Sequence, residues 1–272
     1  MAARSAIIIR LAYNLNPPTI QYFYPHYHLH TNIKIMASNK NYYPGQKNIP
    51  GLIHKIINQI PECKYFYEPF AGSAAVSRFL SVHSPKPIYY RINDIDKDLM
   101  YSYVDISTFS VITHHDAREY IQQMIKIIGE DFKKEIFFFI DPPYMQSTRA
   151  NTVNLYKYEL SDDEHLQLLN TVRDLKSNCM ITHPPCDLYD THLKDWRVKQ
   201  ITVRYHQKTD ILNLYMNYPE PAKLCVNNFT GSNCWDRQRI KRKGDNLIKK
   251  LEALPPQEKH YILSRITQKF SQ

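Results

Sequence analysis

Residues 135–140 read EIFFFI, an apolar run without the alternation of a half-exposed strand. Such a run is typical of a β-strand buried on both faces, as in a parallel sheet. It lies within a series of short apolar runs separated by amphipathic segments, and this alternation predicts strands and helices in turn. We therefore expect an α/β fold with a mostly parallel sheet covered by helices.

The spacing of apolar residues predicts the individual elements. Strands are expected at residues 64–68, 88–93, 109–113, 135–140 and 178–182. Helices are expected at residues 49–60, 73–81, 118–128 and 162–176, the last with Ser161 as N-cap. Two further β-rich runs, 196–205 and 211–217, are joined by a short polar turn and predict an antiparallel pair. A basic helix and a second short helix after Pro255-Pro256 complete the chain.

The net charge of +9 is concentrated near the end of the chain, where residues 237–272 carry ten basic and three acidic side chains. A nearly neutral body with a basic tail favours a polyanionic partner, although a solvated basic helix has the same composition. The five cysteines include no C-x-x-C pair, which argues against a disulfide framework or a structural zinc site. A reducing, cytoplasmic location fits this cysteine usage best.

The composition divides the chain into three parts. Residues 1–35 are expected to form a disordered leader, with Met36 as an alternative start. Their apolar stretch is too short to span a membrane and is interrupted by Arg10. Residues 36–226 are expected to form the catalytic domain and residues 227–272 a basic helical tail.

The tetrapeptide Asp141-Pro142-Pro143-Tyr144 directly follows the apolar strand. An acid at the carboxyl end of a parallel strand faces the crevice where α/β sheets bind ligands. The two prolines fix an extended backbone and remove two N–H donors, so their carbonyls stay free to accept hydrogen bonds. A strand-ending turn without function would look similar, so this motif alone leaves both interpretations open.

Three further motifs precede it, each at a position suited to a ligand. The run 68–74, EPFAGSA, opens a helix, whose free N–H groups and single glycine suit close approach of a ligand. Asp94 follows the second strand, where an acid typically takes ribose hydroxyls, or else caps the next helix. The run 42–47, YYPGQK, combines aromatic, glycine and lysine residues before the first helix.

In this order the motifs resemble those of the DNA adenine N6-methyltransferases, in particular the small enzymes often carried by phages and mobile elements. The resemblance extends from Tyr42 to the end of the chain and includes residues 158–165. It implies a Rossmann-like fold with a seven-stranded, mostly parallel sheet and an antiparallel final hairpin. It also implies S-adenosylmethionine as the cofactor. Ala74 departs from the family pattern, which often has glycine there.

The resemblance also implies roles for individual residues. It assigns cofactor binding to Tyr43, Lys47, Glu68, Phe70, Gly72, Ser73, Asp94 and Asp116. It assigns the target-base site to Asp141, Pro142 and Tyr144. Asp141 and the Pro142 carbonyl would hold the exocyclic amine of an adenine flipped out of the duplex, and the Tyr144 ring would offer a face on which the base stacks. Only 24 residues separate Asp116 from Asp141, which leaves no room for a separate target-recognition domain. DNA contacts are therefore expected from Arg149, Lys157, Arg237, Arg239, Lys241, Arg242 and Lys243.

Double-stranded DNA is thus the expected partner, with a cognate restriction endonuclease as a further one; no metal and no membrane are expected. Two alternatives remain open from the residues alone. One is an amino-methyltransferase acting on RNA. The other is a nucleic-acid-binding relative that has lost catalysis.

Overall fold

The computed structural model describes residues 45, 47–49, 51–98, 111–149, 155–205 and 208–270, with the side chains of residues 131, 204, 205 and 208 left out. The predicted leader therefore lies outside the described residues. Within them, one sheet of seven strands forms the centre of the molecule. In chain order the strands are β1 (Tyr65–Glu68), β2 (Tyr89–Asn93), β3 (Val111–Thr113), β4 (Ile136–Ile140), β5 (Asn178–His183), β6 (Arg197–Tyr205) and β7 (Lys208–Met216).

The strand order across the sheet is β3-β2-β1-β4-β5-β7-β6. Strands β1 to β5 pair in parallel, and β7 is antiparallel to both β5 and β6. Because β1 lies beside β4 and the order reverses there, the carboxyl ends of these strands form a topological switch point. The predicted Rossmann-like architecture with an antiparallel final hairpin is confirmed.

Helices connect the strands. They are α1 (Leu52–Ile57), α2 (Ala75–His83), α3 (Ala117–Ile127), α4 (Asp162–Arg173), α5 (Asp187–His192), α6 (Cys234–Glu252) and α7 (Pro256–Phe270). Short 3₁₀ turns occupy Glu130–Glu135 and Gln146–Thr148. The expected cap at Ser161 is confirmed as a capping box, in which Ser161 and Glu164 bond each other's backbone N–H.

Strand β4 explains why the core has two halves. Its five residues are all buried. Phe137 and Phe139 point into a core shared with α1 and α2, whereas Phe138 and Ile140 point into a core shared with α3 and α4. Successive side chains of a strand face opposite sides, so a strand covered on both sides must be apolar throughout.

Helix α1 covers only residues 52–57 of the predicted 49–60, and three further elements differ from the sequence predictions. Helix α5 was not predicted, because its six residues are too few to show a period and its N-cap, Cys186, makes no side-chain cap bond. Helix α7, predicted as short, has 15 residues. Strand β7 begins at Lys208 rather than at residue 211, because the ladder with β6 continues to the pair Tyr205 and Lys208.

The segment before α6 attaches to the body through α1. The side-chain amide of Asn58 donates to the carbonyl oxygen of Phe229 at 2.5 Å, and the Phe229 ring stacks on His54 with centroids 4.5 Å apart. Beyond this attachment, neither α6 nor α7 has a buried residue. None of the helices in the described ranges is both long and apolar enough to cross a membrane.

Ala74, the departure from the family pattern, has φ 48° and ψ 39°, which is the left-handed region. For alanine this conformation costs roughly 1 kcal/mol relative to glycine. Its methyl group is fully buried, and removing one buried methyl costs about 0.8 kcal/mol. The two contributions oppose each other at this position.

We predict that Ala74→Gly changes the free energy of unfolding by less than about 1 kcal/mol, because strain relief offsets the lost methyl. The control is Ala75→Gly, in the first turn of α2, where Gly loses about 1 kcal/mol of helix propensity besides the methyl. Urea unfolding followed by circular dichroism measures both. Equal destabilisation by the two changes would contradict the strain assigned to Ala74.

Candidate active site

A cavity of about 420 Å³ opens at the carboxyl ends of β1, β2 and β4. The predicted site residues that line it are Lys47, Glu68, Phe70, Gly72, Ser73, Asp94, Asp116, Asp141, Pro142 and Lys157. Motifs far apart in sequence therefore share one cavity. Tyr43, the remaining predicted cofactor residue, lies outside the described residues.

Glu68 ends β1 inside this cavity and is 3% exposed. One carboxylate oxygen, Oε2, accepts from the backbone N–H of Ser77 at 3.3 Å and from the Ser77 hydroxyl. Burial raises the pKa of Glu68 to about 8, and the negative charge of Asp141 adds to the effect. A buried carboxyl of this kind becomes ionised readily only when a cation arrives beside it.

Asp94 holds the turn that contains Gly72. Its Oδ2 accepts from the Gly72 N–H at 2.7 Å and its Oδ1 from the Asp96 N–H at 2.9 Å. Burial raises the pKa of Asp94, while these two backbone donors lower it. Gly72 has φ 49°, which favours glycine at this turn. Each carboxylate oxygen keeps a second lone pair for a ligand hydroxyl.

Asn93 ties the strand ends together and was not predicted as a site residue. Its amide nitrogen donates to the carbonyl oxygens of Pro69 and His115, at 3.0 and 2.9 Å. Its amide oxygen accepts from the Thr113 hydroxyl at 2.8 Å and from the His115 N–H at 2.9 Å. All four hydrogen-bonding positions of the amide are used, so the loops after β1 and β3 are fixed relative to β2.

Asp141 has a different partner on each oxygen. The Thr182 hydroxyl donates to Oδ1 at 2.5 Å. The Lys47 ammonium donates to Oδ2 at 2.5 Å and to the carbonyl oxygen of Gly45 at 2.7 Å. The side chains of Lys47 and Asp141 are 5% and 17% exposed, so this is a largely buried ion pair. The structure thus joins Lys47, assigned to the cofactor, directly to the predicted catalytic acid.

Tyr144 lies at the edge of the site rather than in the cavity lining. The Lys47 ammonium is 5.2 Å from the centroid of its ring. On another side, the Tyr144 ring meets His183 edge-on, with ring centroids 5.3 Å apart. The aromatic face predicted to carry a base is therefore held between a cation and a buried imidazole.

Arg149 is paired inside the protein, and its predicted contact with DNA stays a prediction. Its side chain is 6% exposed and forms a two-pronged ion pair with Glu159, at 2.7 and 2.6 Å. The guanidinium also donates to the carbonyl oxygen of Tyr144. A DNA phosphate would have to displace a buried carboxylate to reach it, at a high desolvation cost. Arg149 fixes the loop behind Tyr144.

Asp116 caps helix α3, and this structural role differs from the cofactor contact predicted for it. Its Oδ1 accepts from the Arg118 N–H at 2.8 Å, and the Arg118 guanidinium pairs with Oδ2 at 2.8 Å. Hydrogen bonding by Arg118 lowers the pKa of Asp116. Asp116 still lines the cavity, so the adenine assignment stays a prediction.

The other predicted DNA-binding residues lie in two places. Lys157 is at the cavity, 58% exposed and 3.5 Å from Asp96. The basic residues of α6 are distant in sequence and absent from the cavity lining. Within α6, Arg239 pairs with Asp236, and Lys241 pairs with Asp245 at 2.9 Å.

Gly45 and Tyr156 close the cavity on the Lys47 side, and neither was predicted. Gly45 has φ +78°, and a Cβ atom there would lie 2.4 Å from the Tyr156 hydroxyl oxygen. Glu159 accepts from the N–H groups of Leu155 and Tyr156, at 2.9 and 3.0 Å, and so shapes this loop. The glycine inside the YYPGQK motif was the sequence signal that pointed to such a close approach.

The strand order and the acid-lined cavity at the switch point define the class: the Rossmann-like fold of the S-adenosylmethionine-dependent methyltransferases. Residues 43–126 match the model of the family described as D12 class N6 adenine-specific DNA methyltransferase. This match confirms the family resemblance drawn from the motifs and includes Glu68, Gly72 and Asp94. No curated protein gives a significant match.

Solved structures with a similar arrangement include three methyltransferases. An S-adenosylmethionine-dependent methyltransferase from Agrobacterium tumefaciens has 10% identity and a TM-score of 0.40, over 61% of this chain and 60% of its own length. TrmK of M. capricolum with S-adenosyl-homocysteine has 12% identity and a TM-score of 0.40, over 79% and 93%. Human methyltransferase-like protein 13 with S-adenosyl-homocysteine has 17% identity and a TM-score of 0.40, over 71% and 87%. The fold assignment rests on the strand order.

Across the part of the chain that the structure describes, no group of three or more His, Cys, Asp or Glu side chains could hold a metal ion. The five cysteines are free thiols, and the sulfur atoms of Cys63 and Cys225 are 3.4 Å apart.

We predict that Glu68→Gln stabilises the protein increasingly as the pH rises from 5 to 8.5. In the folded protein, burial raises the pKa of Glu68 to about 8 from its ordinary value of 4.5. The contribution of Glu68 to the free energy of unfolding is therefore complete below pH 4.5 and is lost as the pH rises through 8. Glutamine carries no charge at any pH. Thermal unfolding across this range measures the difference, and a difference independent of pH would refute the assignment.

Proposed function

We propose that this protein transfers a methyl group from S-adenosylmethionine to the N6 amine of adenine in DNA. The observation that carries the proposal is the position of Asp141. It lines the same cavity as Glu68 and Asp94. An acceptor for an amine thus stands beside acids suited to a cationic, ribose-bearing cofactor.

The residues of the cavity fit this cofactor chemically. Glu68 is a buried acid with a raised pKa, suited to the ammonium of the methionine part. Asp94 would accept from the ribose hydroxyls, and Phe70, Gly72 and Ser73 would enclose the remainder. A volume of about 420 Å³ lies in the range of sites for ligands of this size. When bound, the cofactor supplies an electrophilic methyl group on a sulfonium.

Asp141 and the carbonyl of Pro142 would accept the two hydrogens of the adenine N6 amine. Held this way, the amine becomes pyramidal and its lone pair turns toward the methyl group. The amine nitrogen would take the methyl group from the sulfonium, so that a C–N bond forms as the C–S bond breaks and S-adenosyl-homocysteine is left. The extra proton would then pass from the methylated nitrogen to water. The contribution of the protein is positioning and electrostatic preorganisation, without a covalent enzyme intermediate.

The ion pair between Lys47 and Asp141 adds a step to this scheme. Lys47 holds Asp141 Oδ2 at 2.5 Å, so an incoming amine must share or displace that ammonium. A base inside a duplex cannot reach Asp141, and the target must therefore be flipped out. Tyr144 offers a ring on which the base can stack, worth about 1–3 kcal/mol.

Helix α6 is the proposed contact to the DNA backbone. Arg239, Arg242, Lys243, Lys249 and Lys250 recur at spacings that place them on one face of the helix. The side chain of Arg239 is 54% exposed, which suits contact with phosphates. Arg237 and Lys241 lie outside that face. A partner endonuclease and a cytoplasmic location stay predictions.

RNA as the substrate and binding without catalysis are the competing functions. Transfer of labelled methyl groups to DNA from a host without adenine methylation, compared with total RNA, separates DNA from RNA. Long-read sequencing of the product DNA then gives the base and its sequence context. Calorimetry with S-adenosyl-homocysteine separates a methyltransferase from a relative that binds nucleic acid alone.

We predict that Asp141→Ala lowers methyl transfer at least about 1000-fold, since the amine loses its acceptor in a preorganised site. The affinity for S-adenosyl-homocysteine, measured by calorimetry, should stay within about threefold, because Glu68 and Asp94 are unchanged. Asp195→Ala, which removes an exposed ion pair with Arg173, is the matched control and should stay active. Parallel loss of turnover and cofactor affinity would contradict the role of Asp141.

We predict that Arg239→Gln, Arg242→Gln and Lys243→Gln together weaken DNA binding and flatten its salt dependence. Each lost phosphate contact lowers the slope of log Kd against log salt by about 0.9. The control removes three charges elsewhere, at Lys64, Lys86 and Lys223. If that control flattens the slope equally, overall charge rather than α6 accounts for the binding.

A further inference from the structure

Two consecutive residues at the end of β5, Thr182 and His183, contact both ends of the tetrapeptide 141–144. Both side chains are fully buried. Parallel pairing places Ile140 opposite Ile181, so Thr182 is level with Asp141 across the sheet. Successive strand residues face opposite sides, which lets two neighbours reach two different parts of one loop. Neither residue lines the cofactor cavity.

Thr182 fixes the orientation of the Asp141 carboxylate. Its hydroxyl donates to Oδ1 at 2.5 Å, while the flexible Lys47 holds Oδ2. A buried, β-branched threonine has few alternative rotamers, so the bond to Oδ1 persists when Lys47 moves. Oδ2 is therefore the oxygen left for an incoming amine.

His183 fixes the other end of the tetrapeptide. Its Nε2 accepts from the backbone N–H of Met145 at 3.0 Å, and its Nδ1 donates to the carbonyl oxygen of Pro184 at 2.8 Å. This pair of bonds requires the neutral tautomer. Burial lowers the pKa of His183 to about 3, so the acceptor persists at any working pH. The imidazole also stacks on Tyr189, with centroids 3.9 Å apart.

We propose that Thr182 and His183 are positioning residues that set the geometry between the Asp141 carboxylate, the Pro142 carbonyl and the Tyr144 ring. The inference rests on the proposed function, since it concerns the same site. The three groups must hold one amine and one ring together, and a misplacement of about 1 Å can cost about 100-fold in rate. The pair acts on the target base and leaves cofactor binding unaffected.

The test compares Thr182→Val, which keeps the shape but removes the hydroxyl, with Thr182→Ser, which keeps the hydroxyl. The assay measures kcat and KM with tritiated S-adenosylmethionine and DNA from a host without adenine methylation. The Kd for S-adenosyl-homocysteine is measured by calorimetry. We expect Thr182→Val to lower kcat about 10- to 100-fold with Kd within about threefold. Thr182→Ser should retain most of the wild-type kcat.

His183→Leu removes the acceptor, and His183→Gln places an amide oxygen within similar reach. We expect Leu to lower kcat about tenfold or more and Gln to restore part of the loss. If His183→Leu fails to fold, the two Thr182 variants still test the inference.

Wild-type kcat in Thr182→Val, or equal losses in the valine and serine variants, would overturn the inference. A parallel loss of cofactor affinity would also overturn it, because that indicates general disruption. A wild-type protein that transfers no methyl group overturns the proposed function and this inference together. If the wild-type protein transfers methyl groups and Thr182→Val has the same kcat, the inference alone is overturned and the proposed function stands.

Discussion

The site depends on the convergence of three acids at one edge of a parallel sheet. Glu68, Asp94 and Asp141 come from β1, β2 and β4 or the residues directly after them, and all three face one cavity. Like charges brought together in a low dielectric repel, and the Asp141 charge raises the pKa of Glu68. Such a cavity favours a ligand with positive charge, which is the electrostatic character of a sulfonium bearing an ammonium group.

Hydrogen bonds from neutral donors stabilise the three clustered acids. Ser77 donates to Glu68, the Gly72 and Asp96 N–H groups donate to Asp94, and the Thr182 hydroxyl donates to Asp141. Asp141 also has a cation, Lys47, as a direct partner. The carboxylate proposed to meet the substrate is therefore the one whose partner sits on a long, flexible side chain. The two proposed to meet the cofactor are held by rigid backbone and short side chains.

The motifs located most of the cavity from the sequence, because strand-end positions converge whenever the strands are parallel and adjacent. Seven of the eight residues assigned to the cofactor line the cavity, and the eighth, Tyr43, lies outside the described residues. The ion pair of Arg149 could not be predicted from the sequence, because a loop arginine near an active site has the same local sequence whether it faces DNA or a carboxylate. Its partner, Glu159, lies ten residues away, and only the folded loop brings the two together.

The sequence by itself determined the order of the strands along the chain, the buried character of β4 and the identity of the acids, since these follow from local patterns. The tertiary structure alone decided which side chains became partners. Lys47 and Asp141 are 94 residues apart, and Thr182 is 41 residues from Asp141. Hydrogen bonds and ion pairs over such separations depend on the spatial neighbours of a strand end, and sheet order, which is a long-range property, sets those neighbours.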